Sequence, residues 1–192
     1  MNEQEQFWSG SFGDKYTKRN RVDWRARIPF WHDIMKFTGA RSVYEVGCGA
    51  GFNLSAILEA ADHRVMVEGN DVNDLARSQA IVAGVEARQH PVWDRMNVAN
   101  CYELVFTAGC LIHAAPDNLP SLMNHIVSAS SRYVLAIEYA ADAEEMVEYR
   151  GVKDRLWKRP YGKLYEALGC KILHEGEAVG WENTQYWLME KP

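Results

Sequence analysis

The sequence has few of the features that mark membrane, metal-binding or nucleic-acid-binding proteins. No stretch approaches the roughly 20 consecutive apolar residues that a membrane-spanning helix requires, so we expect no membrane association. The four cysteines form no CxxC pair and do not cluster with histidines, which predicts reduced thiols and no metal site. A formal net charge of -5 argues against nucleic acid as a partner, since phosphate contacts require a basic surface.

The sequence also lacks internal repeats, low-complexity tracts and linkers rich in proline or glycine. It includes only six prolines, and its length of 192 residues fits a single domain with one core. Residues 1–40 are predicted to form a helical segment that acts as a lid, and residues 41–192 an α/β core. The start is polar and acidic, unlike a secretory signal, which predicts a cytoplasmic protein. We expect a monomer or a homodimer.

Strand and helix signals alternate along the core and predict a mostly parallel sheet with helices on both faces. Short apolar runs predict seven strands, at residues 42–46, 64–67, 85–88, 104–108, 133–138, 171–174 and 184–189. Helices are predicted at residues 52–60, 74–82 and 117–129. A further helix ends at Leu168, where Gly169 is well placed to stop it. The last two strands are joined by a turn-rich link, which predicts an antiparallel hairpin at the sheet edge. Near the N-terminus, Pro29 interrupts a helical pattern, which predicts two short helices or one that restarts at the proline.

A glycine-rich turn follows the first predicted strand. The strand ends in an acidic residue, and three glycines then alternate up to the helix, in the order Glu45-Val46-Gly47-Cys48-Gly49-Ala50-Gly51-Phe52-Asn53. Glycines let the backbone approach a ligand closely, and the start of the helix offers free N–H groups. The GxGxxG rhythm of a dinucleotide site would place its third glycine where this chain has Phe52. The turn therefore argues against a pyrophosphate ligand.

This turn resembles the E-x-G-x-G-x-G motif of class I S-adenosylmethionine-dependent methyltransferases. The resemblance implies their Rossmann-like fold and S-adenosylmethionine as cofactor. It implies that Gly47, Gly49 and Gly51 enclose the methionine part of the cofactor, with Asn53 among the cofactor contacts. Glu45 would orient the turn or the cofactor's ammonium group. The alternative is an ordinary strand-to-helix turn with incidental glycines.

A second acid is expected about 20 residues further on, where a carboxylate at the end of the second strand can accept hydrogen bonds from the ribose hydroxyls. Glu68 and Asp71 both qualify. The Gly-x-acid-hydrophobic pattern of the family favours Asp71, whose alternative role is to cap a helix. After the third strand, Trp93 and Asp94 are predicted to contact the adenine, with surface packing as the alternative for Trp93.

His113 follows the fourth predicted strand and is the candidate catalytic residue. Its ordinary pKa lies near neutrality, which suits a general base, and the alternative is a histidine bonded to the backbone. The Asp/Asn-Pro-Pro-Tyr tetrapeptide of enzymes that methylate adenine or amide nitrogen is absent here, as is the Pro-Cys of cytosine-C5 methylases. Methyl transfer needs mainly positioning and exclusion of water, so no nucleophile or triad is expected.

The chain is similar to a narrower group, the methyltransferases associated with pseudaminic acid biosynthesis. Four segments carry this likeness: residues 7–20, residues 45–54, residues 111–113 with 116–120, and residues 149–151 with 156–159. The likeness implies methyl transfer to oxygen or nitrogen of a small polar acceptor such as a sugar or nucleotide sugar. The chain departs from the group's pattern at residues 114–115 and 140–142, near the expected acceptor site, which leaves open a different substrate.

A polar or anionic small molecule is the predicted acceptor. Basic residues follow the fifth strand at the ligand-binding edge of the sheet, and arginine suits bidentate contact with a carboxylate or phosphate. The predicted acceptor contacts are Tyr16, Arg19, Asn20, Glu138, Tyr149, Arg150, Lys158 and Arg159. In the N-terminal run of arginines only Arg19 is assigned to the site, and Arg21, Arg25 and Arg27 are assigned to a solvated face. The alternatives are a protein or RNA target, or a cofactor-binding module without catalytic activity.

Overall fold

The computed structural model describes residues 1–88, 99–148 and 151–192. In chain order, its strands are β1 (Ser42–Val46), β2 (Met66–Asn70), β3 (Glu86–Arg88), β4 (Tyr102–Ala108), β5 (Ser130–Glu138), β6 (Glu145–Met146), β7 (Trp157–Lys158), β8 (Lys171–Glu177) and β9 (Gln185–Glu190). A seven-stranded sheet has the order β3-β2-β1-β4-β5-β9-β8, and β6 and β7 form a small second sheet.

The main sheet confirms the predicted topology. The pairs β1–β2, β1–β4, β2–β3 and β4–β5 are parallel, whereas β9 runs antiparallel to both β5 and β8. The closing hairpin is therefore present at the edge where the sequence places it. Several strand boundaries differ by a few residues, and β2 in particular extends to Asn70 instead of ending at Val67. This extension brings Asp71 directly to the carboxyl end of the strand.

The helices are α1 (Glu3–Ser9), α2 (Ser11–Arg19), α3 (Ile28–Thr38), α4 (Phe52–Ala60), α5 (Asp74–Val82), α6 (Leu119–Ala129) and α7 (Tyr161–Ala167). A 3-10 turn precedes α3, and Pro29 lies in the first turn of that helix. Proline is well tolerated there because the first N–H groups of a helix have no partner within it, so the helix restarts at the proline. Among the described residues, none of the helices combines the length and the apolar character needed to cross a bilayer.

The sheet is covered on both faces, which explains the nearly continuous apolar runs of its central strands. In β4, Leu104 and Phe106 belong to the hydrophobic cluster that includes Trp31 of α3. Val105 points to the opposite face and belongs to the cluster that includes Ile126 of α6. Since β4 is buried on both sides, its position in the centre of the sheet is strongly specified.

The strand order reverses between β1 and β4. In an open α/β sheet, ligands bind outside the carboxyl ends of the strands at such a switch point. The α1–α2 pair lies over this edge and is tied to it by Asn73, whose amide Nδ2 donates to the Trp8 carbonyl at 3.2 Å and to Asp14 Oδ1 at 2.9 Å. The N-terminal helices therefore cover the edge at which the topology predicts a ligand.

Candidate functional site

A cavity of about 980 Å³ opens at the carboxyl ends of β1, β2 and β4. Its floor comes from residues 47–50, 71–73 and 108–110, which are the loops after these three strands. The α1–α2 pair, residues 20–23 and residues 26–27 supply one wall, and residues 180–184, between β8 and β9, supply another. The cavity thus lies where the sheet order reverses and the N-terminal helices close over it.

The glycine turn is divided between the cavity and the interior. Gly47 and Gly49 line the cavity, and a Cβ added to Gly49 would meet no protein atom within 4 Å. Gly51 lies against α5 instead, where an added Cβ would come within 3.0 Å of Ala80 Cβ. Gly49 therefore gives a ligand access to the backbone, whereas Gly51 permits close packing of the turn on a helix. At Gly47 an added Cβ would come within 2.6 Å of Cys110 Sγ, so this glycine lets the turn pack against the loop after β4.

Glu45 is 1% exposed, lines the cavity and begins a chain of polar contacts. Its Oε1 accepts from Asn53 Nδ2 at 2.6 Å, and Asn53 Oδ1 accepts from Arg27 Nη1 at 2.7 Å. The other carboxylate oxygen, Oε2, is buried and has no hydrogen-bond partner among the described residues. Burial raises the pKa of Glu45 to about 8, against the Asn53 hydrogen bond and the charge of Arg27, which lower it. A buried and half-satisfied carboxylate of this kind is suited to a cationic ligand group.

Asp71 lines the cavity beside the glycine turn and binds that turn directly. Its Oδ2 accepts from the Gly49 N–H and its Oδ1 from the Asn73 N–H, both at 2.8 Å. Burial raises the pKa of Asp71, and these two N–H groups oppose the shift. A carboxylate has about four lone-pair sites, so Asp71 retains the capacity to accept from a hydroxyl.

Glu68, the other acid considered for the ribose, is 5% exposed and is not part of the cavity lining. It accepts from the Tyr102 hydroxyl at 2.8 Å and pairs with Arg88 Nη2 at 3.0 Å. Asp71 lines the cavity and binds the glycine turn through Oδ2, whereas Glu68 is engaged elsewhere in the sheet. The structure therefore distinguishes two acids that the sequence left as alternatives.

His113 lines the cavity at the end of a 3-10 turn, Leu111–His113, that follows β4. Its Nδ1 lies 3.2 Å from the Arg155 carbonyl, and its ring packs on the Trp8 ring with centroids 4.3 Å apart. Because a carbonyl can only accept, Nδ1 carries the proton and Nε2 keeps its lone pair. Burial lowers the pKa of His113 to about 4, despite the Arg155 carbonyl, which raises it. The imidazole is therefore neutral near pH 7.

Three of the predicted acceptor contacts meet at the cavity wall. Tyr16, Asn20 and Lys158 all line it. Asn20 Nδ2 donates to the Tyr16 hydroxyl at 3.0 Å, and Lys158 Nζ lies 3.9 Å from Glu145 Oε1. Lys158 is 38% exposed, so this ion pair is weak and leaves the ammonium group available to a ligand.

Three other predicted acceptor contacts lie outside the cavity lining. Glu138 and Arg159 are fully buried and bind the backbone of residues 110–114. Arg19 is exposed and lies over the rings of Phe12 and Tyr16, 5.4 Å from each centroid. Their charge suggested ligand contact, but each finds its partners within the fold. Four predicted site residues fall outside the described residues: Trp93, Asp94, Tyr149 and Arg150.

Arg27 corrects the prediction for the arginine run. It lines the cavity, donates to Asn53 and lies over the Trp181 ring at 4.3 Å, instead of belonging to a solvated face. Burial lowers its pKa, which reflects its distance from water. No local pattern distinguishes Arg27 from Arg25, because the contact arises where the start of α3 meets the loop between β8 and β9.

The sequence reasoning also missed further cavity residues. Trp8 covers His113, and Thr184 is 4% exposed with a buried Oγ1 that has no partner among the described residues. Asn73 connects Asp71 to the N-terminal helices. The aromatic composition predicted that some Trp or Tyr would line a pocket, but it did not identify Trp8. Within the described residues, no group of three or more His, Cys, Asp or Glu side chains could hold a metal ion.

Comparisons with known proteins agree on the architecture. No protein-family model matches the chain, and no curated protein matches it in sequence. Among solved structures, magnesium protoporphyrin IX methyltransferase from Synechocystis, with bound SAM, has a TM-score of 0.71 at 11% identity and covers 100% of this chain and 99% of its own. The chain has the fold of S-adenosylmethionine-dependent methyltransferases.

Two further structures share this fold. The 1,6-didemethyltoxoflavin-N1-methyltransferase of Burkholderia thailandensis, with its substrate and S-adenosylhomocysteine bound, has a TM-score of 0.71 at 16% identity and covers 98% of this chain and 86% of its own. A sugar N-methyltransferase from Streptoalloteichus has a TM-score of 0.69 at 15% identity, and the match covers 95% of this chain and 93% of that enzyme. The methyltransferase fold thus recurs among enzymes with unrelated acceptors, so the acceptor must be argued from the site.

Proposed function

We propose that this protein is an S-adenosylmethionine-dependent methyltransferase that acts on oxygen or nitrogen of a small polar acceptor. The observation that carries the proposal is the buried Glu45 carboxylate, with one oxygen unpartnered, at the cavity edge where Gly49 leaves open space. A ligand that places an ammonium group beside Glu45 and follows the glycine turn satisfies both features. The methionine part of S-adenosylmethionine is such a ligand.

The residues present fit the rest of that cofactor. Asp71 lies next to the glycine turn, and the remaining acceptor capacity of its carboxylate suits the ribose hydroxyls. Asn53 donates to Glu45 Oε1, and Arg27 in turn donates to Asn53. Trp93 and Asp94 remain the proposed adenine contacts. When bound, the cofactor supplies a methyl group that its sulfonium already activates.

His113 is proposed to orient the acceptor. Its Nδ1 proton is directed to the Arg155 carbonyl, so Nε2 can accept a hydrogen bond from an acceptor hydroxyl or amine. The low pKa keeps the imidazole neutral, but it also makes the ring a weak base. We therefore infer that His113 directs an acceptor lone pair toward the methyl group more than it removes a proton in advance.

A polar metabolite, such as a sugar or nucleotide sugar, is the proposed acceptor. Tyr16, Asn20 and Lys158 present a hydroxyl, an amide and an ammonium group on the cavity wall. Such groups suit hydroxyls, carboxylates or phosphates rather than an apolar molecule. The likeness to the methyltransferases associated with pseudaminic acid biosynthesis supports the same class, as does the shared fold with a sugar N-methyltransferase.

Calorimetric titration with S-adenosylmethionine, S-adenosylhomocysteine and a nicotinamide dinucleotide tests the cofactor assignment. We expect both sulfur compounds to bind and the dinucleotide not to bind. Binding of the dinucleotide alone would refute the proposal.

Transfer of a labelled methyl group is then measured with nucleotide sugars, free sugar acids and a protein extract as acceptors. We expect label in the small molecules. Cofactor binding without transfer to any acceptor would favour a silent cofactor-binding module, and label in protein would favour the macromolecular alternative.

A further inference from the structure

The turn that carries His113 is held by a buried carboxylate. Glu138 ends β5 and is 0% exposed. Its Oε1 accepts from the N–H groups of Cys110 at 3.0 Å and Leu111 at 2.9 Å, and its Oε2 lies 3.4 Å from the Ile112 N. One side chain from the neighbouring strand thus binds three successive N–H groups at the start of the turn.

A buried guanidinium binds the same turn through its carbonyls. Arg159, which directly follows β7, is 0% exposed. Its Nη1 donates to the Leu111 carbonyl at 3.1 Å and its Nη2 to the Ala114 carbonyl at 2.8 Å. Its Nε donates to Glu144 Oε2 at 2.7 Å, and Glu144 is 45% exposed. The planar fork of arginine allows one side chain to bridge two carbonyls and a carboxylate.

Residues 110–114, which we call the His113 turn, are therefore held at their N–H groups by one strand and at their carbonyls by another segment. Ile112 and His113 of this turn line the cavity, whereas Glu138 and Arg159 do not. Burying ionisable groups is costly unless hydrogen bonds compensate, and apolar residues often stabilise a core equally well. Here most of the compensating bonds go to one short backbone segment, and the remaining one joins Arg159 to Glu144.

We infer that Glu138 and Arg159 are positioning residues that hold the His113 turn so that the imidazole stays against Trp8 and the Arg155 carbonyl, facing the cavity. The consequence for methyl transfer rests on the proposed function, but the placement of the imidazole does not. Glu138 and Arg159 act through the backbone, so their loss should affect the acceptor side of the cavity more than the cofactor side. The contacts of Glu45 and Asp71 come from other loops and remain in place.

The test uses the variants Glu138→Leu and Arg159→Lys. Leucine matches glutamate in size but cannot accept hydrogen bonds, so three N–H groups lose their partner. Lysine keeps the charge but lacks the fork that spans Leu111 and Ala114. The matched control is Glu68→Leu, which removes another buried carboxylate with two side-chain partners, remote from the His113 turn.

The first readout is the protonation of the His113 imidazole, which long-range proton–nitrogen NMR measures as a function of pH. In both variants the pKa of His113 should rise from about 4 toward its ordinary value of 6.5, because the ring gains access to water. The protonation pattern, with hydrogen on Nδ1, should be lost at the same time. In Glu68→Leu the pKa and the pattern should stay as in the wild type. An unshifted His113 in a folded Glu138→Leu or Arg159→Lys protein would overturn the inference.

A milder variant covers the case in which the buried substitutions prevent folding. Glu144→Ala removes only the outer, half-exposed partner of Arg159. It should shift the pKa of His113 in the same direction by a smaller amount. No shift in this variant, with the others unfolded, would equally refute the positioning role.

Activity provides the second readout. In the Arg159→Lys protein, kcat should fall by about tenfold or more, since small misplacements of catalytic groups have large effects on rate, while the Kd for S-adenosylhomocysteine stays within about twofold. The NMR readout needs no substrate, so it tests the positioning role of Glu138 and Arg159 independently of the proposed function. If His113 shifts in the variants while the wild-type protein transfers no methyl group to any acceptor, the proposed function alone is refuted.

Discussion

Gly49 offers the sharpest perturbation of the cavity. Its φ is +54°, in the left-handed region, and a Cβ placed there would meet no protein atom within 4 Å. Because Gly49 lines the cavity, an added side chain enters the space that we assign to the cofactor. Gly49→Ala should therefore have two separable effects, one on folding and one on binding.

The magnitudes follow from the geometry. An alanine in the left-handed region costs about 1–2 kcal/mol, which lowers the free energy of unfolding by that amount. A methyl group forced into a site that fits a ligand closely costs about 1–3 kcal/mol, or roughly 5- to 150-fold in Kd for S-adenosylhomocysteine. Gly49→Val, with a branched side chain, should abolish binding.

Gly39 is the matched control, because its φ is +61° and its added Cβ would also meet nothing within 4 Å. It follows α3 and does not line the cavity. Urea unfolding should show similar destabilisation in Gly39→Ala and Gly49→Ala, while calorimetry should show weakened binding in Gly49→Ala alone. If the two variants bind S-adenosylhomocysteine equally well, the glycine turn does not enclose the cofactor.

The remaining predictions concern the acids and Arg27. Asp71→Ala should weaken the binding of S-adenosylhomocysteine by about 1–3 kcal/mol in calorimetry, because the ribose hydroxyls lose their acceptor. Glu68→Gln should leave the Kd unchanged. Equal Kd values for Asp71→Ala and the wild type would refute the ribose role. Arg27→Ala removes the donor that holds Asn53 and should raise the Kd for the same ligand by about tenfold, whereas Arg25→Ala should leave it unchanged. Equal effects of the two variants would show that Arg27 does not support cofactor binding. Burial raises the pKa of Glu45 from 4.5 to about 8, so its protonated form contributes stability that is complete below pH 4.5 and lost as the pH rises through 8. Between about pH 5 and about pH 9, the free energy of unfolding should fall more in the wild type than in Glu45→Gln, and equal falls would contradict this.

The order and type of the main strands and helices were predictable because they depend on local signals. The alternation of apolar runs with helical patterns predicted the parallel sheet, and the turn-rich link before β9 predicted the hairpin. Gly169, predicted to stop α7, has a φ of +85° directly after the helix cap. Boundaries were less accurate, as the extension of β2 to Asn70 shows, since strand ends depend on pairing with neighbours.

The candidate site was most predictable where a motif names a position along the chain. Glu45, Gly47, Gly49 and Asp71 were identified in this way, and all four line the cavity. Arg159 was assigned to the acceptor from its charge and its place after β5, yet its guanidinium is buried against backbone carbonyls. Charge and position along the chain do not show which direction a long side chain takes.

The glycine turn, the strand periodicity and the closing hairpin depend on residues that are close together in the chain. They could therefore be inferred from residue types alone. The direction of Arg27 into the cavity, the burial of Glu138 and the cover that Trp8 forms over His113 depend on segments far apart in the chain. Such contacts are decided by how the packed layers bring loops together, and a buried polar group then takes whichever partner lies within reach. The tertiary structure therefore decided which of several similar charged residues face the ligand.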